Sequence, residues 1–87
     1  RSPEVEALEA VMAANPEDHA TRIQLAIQLS QAAQYRGALE HLLIVLRADK
    51  DFNDGEARKV FLDTLATIGK GDPLAAEYQR KLFSLMY

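Results

Sequence analysis

The residues with the most chemical potential are the acidic cluster Asp49, Asp51, Asn53 and Gly55, which has the alternating oxygens of a calcium loop. An EF-hand loop needs glycine at its sixth position and glutamate at its twelfth. Counted from Asp49, those places hold Asp54 and Val60, so the register fails, and the cluster reads as a turn that caps the following helix. His19 and His41 are the only imidazoles, and their spacing matches no metal-binding motif. They read as surface residues. Glu40 and His41 are adjacent in sequence and so point to different sides of a helix, which gives no acid–base pair. Ser2, Ser30 and Ser84 lack the context of an activated nucleophile, and there is no cysteine for thiolate, disulfide or cluster chemistry. No catalytic residue, cofactor or metal is expected, and the reading is of a non-enzyme.

Charge adds little. Ten basic against thirteen acidic side chains leave a net −3, and Arg22, Arg36, Arg47, Arg58, Lys59, Arg80 and Lys81 alternate with acids. They read as solvated faces, each ion pair contributing about 0 to 1 kcal/mol, with no footprint for nucleic acid. No run approaches the roughly 20 apolar residues of a membrane span, so neither nucleic acid nor membrane is an expected partner.

The elements that must position these groups are helical. Ala and Leu supply 26 of 87 residues, whereas Val, Ile and Thr supply 11. Ser2-Pro3 caps and starts a first helix carrying Val5, Leu8, Val11 and Met12, which Asn15-Pro16 ends. Asn15 is then expected to cap a second helix running from Pro16 to about Ala33, apolar on more than one face through Ile23, Leu25, Ala26, Ile27 and Leu29. After a polar break at Gln34 to Gly37, Ala38, Leu39, Leu42, Leu43, Val45 and Leu46 predict a third helix. Asn53 with Glu56 has the form of a capping box for a fourth, whose apolar face is Val60, Phe61, Leu65 and Ile68. Gly69 and Gly71 end it, and Asp72-Pro73 opens a fifth with the stripe Leu74, Tyr78, Leu82 and Leu85.

A shift of 34 residues lays the first helix on the third: Glu6 on Glu40, Leu8 on Leu42, Val11 on Val45. A shift of 36 lays Leu25 on Phe61, Leu29 on Leu65 and Leu46 on Leu82. This helix-pair period resembles the tetratricopeptide repeat (TPR). Leu25, Ala26, Leu29, Ala38, Leu42 and Val45 occupy the large and small positions of its central repeat, with Ala26 and Ala38 lacking bulk where two helices cross. Leu65, Tyr78 and Leu82 repeat the packing role further on. Ala33 stands where the pattern has an interhelix glycine, and Leu62 where it has a small residue. The expected fold is therefore all-α, a TPR-like right-handed solenoid of five antiparallel helices, with residues 1–87 as a single domain.

Gly37 to Leu43, the loop Asp49 to Lys59, Asp72-Pro73-Leu74 and the ending Leu82-Phe83-Ser84-Leu85-Met86-Tyr87 resemble the C-terminal segment of the bacterial thioredoxin-like chaperedoxins. That resemblance implies a cytoplasmic co-chaperone module that binds unfolded clients and a chaperonin or Hsp70 partner, preceded by a thioredoxin-fold domain. Because the chain opens on Arg1, it is expected to be a piece of a longer protein.

Two apolar surfaces are candidates for partner binding. In a TPR the concave face comes from the first helix of each pair, here Ala20, Ile23, Ile27, Ser30 and Gln31, then Lys59, Asp63 and Thr67. Ile23 and Ile27 are either covered by the first helix or an upstream domain, or free to hold a client. Phe83, Met86 and Tyr87 form a second apolar set on the last helix. They either wrap onto the preceding helix or form an exposed patch, which for a chaperedoxin is the chaperonin-docking end. The alternative function is a structural scaffold whose uncovered solenoid ends self-associate as a homo-oligomer.

Overall fold

A computed structural model describes residues 2–87. Among them are five α-helices, α1 (Pro3–Ala14), α2 (His19–Gln31), α3 (Tyr35–Ala48), α4 (Glu56–Ile68) and α5 (Pro73–Met86), with a short turn at Phe52–Asp54 before α4 and no strand. The all-α helical-repeat expectation holds. Each helix packs on its successor, and α3 also touches α5 while α2 touches α4. The body measures 34 × 27 × 17 Å, the thickness of two helix layers, with α2 beside α4, α3 beside α5, and α1 packed on α2.

Local chemistry explains each helix start, and three of them differ from the sequence expectation. Ser2 caps α1 by accepting from the Val5 N–H at 3.2 Å, with Pro3 at the first position. The cap of α2 is Asp18, and Asn15 with Pro16 closes α1 instead. Asp18 wins because Thr21 supplies it with two donors, its backbone N–H at 3.0 Å and its hydroxyl at 2.8 Å. Those bonds hold the Asp18 carboxyl below the usual range.

Helix α3 begins at Tyr35, three residues before the expected start, because α2 closes in a Schellman turn. The Gln34 N–H donates to Leu29 O at 2.8 Å and the Ala33 N–H to Ser30 O at 3.0 Å. Ala33 occupies the left-handed position of that turn at φ 60°. A Cβ there costs roughly 1–2 kcal/mol, and glycine loses about 0.4–1 kcal/mol through its freer unfolded chain. Ala33→Gly should accordingly stabilise the domain by about 0.5–1 kcal/mol, read as a higher urea midpoint. Gly55→Ala should do the reverse, since Gly55 has φ 81° and nothing within 4 Å for a methyl to contact.

The Asp49 to Gly55 segment is the longest connection between helices among the described residues. Asn53, Asp54 and Gly55 are consecutively left-handed at φ 50°, 58° and 81°, a conformation that Asn, Asp and Gly tolerate best. The cap of α4 is Gly55, with no side-chain capping bond. Asn53 does reach Glu56, but its side-chain amide donates to the carboxylate at 2.7 Å, so the expected capping box becomes a brace across the turn. The turn sets the Phe52 ring edge-on to His19, with centroids 5.3 Å apart. Asp72 and Pro73 open α5 as expected.

The core centres on α3, where Ala38, Leu39, Leu42, Leu43, Val45 and Leu46 are all buried. Each large side chain among them contributes about 1.5–3 kcal/mol. Phe61 and Tyr78 are the bulkiest aromatic rings in the same cluster, with centroids 6.4 Å apart.

A polar clamp then ties α3 to α5. The Tyr78 hydroxyl donates to Glu40 at 2.5 Å, and Arg36 forks onto both oxygens of Glu77 at 2.9 and 3.3 Å. Lys81 lies 3.5 Å from both Glu40 and Glu77 and 4.6 Å from the centre of the Tyr78 ring. The Tyr78 bond, with Lys81 beside it, holds the Glu40 carboxyl below its usual range, and Arg36 does the same for Glu77. A carboxyl that is more acidic folded than unfolded stabilises above its unfolded value, here about 4.5, and that contribution is lost as pH falls through the folded pKa. The urea midpoint should thus fall below about pH 4.5, and Glu40→Gln should flatten the fall.

Candidate functional site

Helices α2 and α4 lie side by side and leave a groove of about 280 Å³ between them. Spacings of three and four residues bring Ile27, Ser30 and Gln31 to it from α2, and Val60, Asp63, Thr64 and Thr67 from α4. Ile27 and Val60 supply apolar contact. The Thr64 and Thr67 hydroxyls donate back to Val60 O and Asp63 O at 2.8 and 3.0 Å; Thr64 is buried, and the exposed Thr67 oxygen is left to offer a lone pair. With the Gln31 amide and the Asp63 carboxylate, the groove can hold an apolar side chain, hydrogen-bond a peptide backbone and pair one cation.

Of the expected concave-face residues, Ile27, Ser30, Gln31, Asp63 and Thr67 line this groove, whereas Ala20 and Lys59 lie outside it. For Ile23 the first alternative holds, and it is corrected as a candidate binding residue: it is completely buried, in one cluster with Val5 and Met12 of α1, which packs against α2. Val60 and Thr64 were missed, although they share the three- and four-residue stripe of Asp63 and Thr67. Val60 reads as core from its type alone.

The apolar set on α5 divides. Met86 is half-buried and packs on the core, as does Leu85, while Phe83 is 54 % and Tyr87 89 % exposed. The two exposed rings meet edge to face, centroids 5.7 Å apart, as a small aromatic patch. Of the repeat-packing set, Leu25, Ala26, Leu29, Ala38, Leu42, Val45, Tyr78 and Leu82 are buried, and Leu65 is half-buried.

Three charged or aromatic groups depart from their expected surface role. Arg22 is 91 % buried by its 9 % exposure, donating to His41 Nδ1 at 2.9 Å and to Pro16 O at 2.8 Å. It pins the α1–α2 turn to α3. Since a guanidinium only donates, His41 Nδ1 accepts and its proton sits on the other ring nitrogen. His19 and His41 are both half-buried. Among the described residues no group of three or more His, Asp or Glu side chains could hold a metal.

Stacked helical hairpins with a groove along one layer define a protein-binding repeat. The chain belongs to the tetratricopeptide-repeat family, whose model matches residues 1–87. Domains of this family are typically non-catalytic protein–protein interaction modules. The chain is 38% identical over 86 residues to an uncharacterized protein of Haemophilus influenzae, covering 99% of this chain and 39% of that protein. It is similar to the crystal structure of a domain of protein VP0806, of unknown function, from Vibrio parahaemolyticus. That match has a TM-score of 0.91 and 38% identity, covering 100% of this chain and 51% of that one. The chain thus spans about half or less of the length of these relatives. No helix among the described residues is long and apolar enough to cross a membrane.

Proposed function

We propose that this domain is the protein-interaction segment of a cytoplasmic thioredoxin-like co-chaperone of the chaperedoxin type, which holds unfolded clients and passes them to a chaperonin or Hsp70 partner. The observation that carries the reading is the α2–α4 groove, whose Ile27–Val60 floor and hydrogen-bonding walls suit an extended, partly apolar segment without demanding one sequence. The Phe83–Tyr87 patch supports it as a separate docking point, because exposed aromatic rings at a helix end are costly to leave in water and favourable to bury at an interface.

Binding of a fluorescent unfolded client and of a purified chaperonin tests the two surfaces separately. Ile27→Asp should weaken the client about tenfold and spare the chaperonin, and Phe83→Ala with Tyr87→Ala should do the opposite. Unchanged binding in both variants would reject the proposal. Point changes are needed, because removing all of α5 would also remove the buried Tyr78 and Leu82. The exposure of Leu62, Phe83 and Tyr87 favours a second reading, a self-assembling scaffold. Light scattering that shows a monomer at tens of micromolar counts against it.

A further inference from the structure

The solenoid has a second groove, at its C-terminal end. Leu62, Leu65 and Ala66 of α4 and Ala75 and Ala76 of α5 line a cleft of about 420 Å³, with Lys70 at its mouth. The internal repeat says what such a cleft holds. Under the 36-residue shift, Leu62, Leu65 and Ala75 fall on Ala26, Leu29 and Leu39. Those three are 0 %, 2 % and 0 % exposed, and α4 packs across the α2–α3 pair that carries them, burying its own Ala57, Phe61 and Thr64. Leu62, by contrast, is 45 % exposed. The α4–α5 face therefore continues the α2–α3 seat by one repeat.

Charge specifies the occupant further. Arg58 lies one turn before Leu62, Arg80 one turn after Ala76, and both are exposed, as is Lys70. Of the nearby carboxylates, Glu77 is held by Arg36 and Glu56 by Asn53, Asp72 caps α5, and Asp63 faces the α2–α4 groove. An apolar cleft with a basic rim fits an amphipathic helix whose flanks are acidic. We infer that the α4–α5 face binds such a helix from a partner protein, seated as α4 is seated on α2 and α3.

The test uses this chain, labelled with ¹⁵N, and a peptide of residues 55–69 of its own sequence carrying Arg58→Glu and Lys59→Glu. The expected result is saturable binding below about 1 mM, with amide shifts concentrated at Leu62, Leu65, Ala66, Ala75 and Ala76. The unsubstituted basic peptide should bind about fivefold more weakly, and Ala66→Glu in the chain should weaken the acidic peptide about tenfold. Ala66 is exposed, so that variant should keep its helical circular dichroism. Absence of saturable binding, or shifts centred on Ile27, Val60 and Thr67, would overturn the inference. So would self-association that Ala66→Glu abolishes, which would give the face to a second copy.

Discussion

Replacing Tyr78 by alanine should cost the domain about 3–5 kcal/mol, whereas Tyr78→Phe should cost about 1 kcal/mol. The ring is completely buried against Phe61, so its loss leaves a cavity between α3, α4 and α5 that fixed helices cannot fully close. The hydroxyl is a separate contribution. Removing it releases Glu40, which is 46 % exposed at its side chain and can turn to water, so the penalty stays small. A domain of this size has a total stability of about 4–13 kcal/mol, and the alanine variant therefore gives up a large share of it. Urea unfolding followed by circular dichroism measures both variants. Equal losses would mean that the hydroxyl clamp, and not ring burial, holds α5 in place.

That clamp also marks the limit of what the sequence discloses. Helix ends were legible where a cap and a proline coincide, as at Ser2-Pro3 and Asp72-Pro73, because both residues act within one turn. The start of α2 was not, since Asn15 and Asp18 can each cap a helix and the choice rests on which has a Thr21 to bond. The early start of α3 was hidden because alanine, not glycine, takes the left-handed turn at Ala33. Arg36 and Glu40 lie 42 and 38 residues from Tyr78, to which both are hydrogen-bonded, and no local pattern announces pairs so distant. Arg22 misled for the same reason, as its partner His41 is 19 residues away. The groove was more legible, because helical spacing orders its stripe once the repeat is aligned. Spacing alone put Ile23 on the same stripe as Ile27, and only the packing of α1 against α2 decides between the two alternatives, covering Ile23.

Ala38→Leu should destabilise by about 1–3 kcal/mol, and Ala66→Leu by almost nothing. Both alanines sit on helices with the same intrinsic preference, so helix propensity predicts equal, near-zero effects. Burial separates them. Ala38 is completely enclosed on α3, which packs on α2, where Ala26 is also at zero exposure, and a Cβ at neighbouring Gly37 would stand in ordinary contact with Leu29 at 3.6 Å. Three added carbons there must push the helices apart or force Leu29 and Leu42 off their rotamers. Ala66 instead borders the open α4–α5 cleft, where a leucine has room. Because α2 and α3 carry both the groove wall and the seat for α4, moving them apart should also weaken client binding in Ala38→Leu, while Ala66→Leu leaves it intact. Thermal unfolding and client anisotropy on the two variants decide the matter: equal stability would mean that the small residues of this repeat serve helix formation alone, and have no part in setting the distance between its helices.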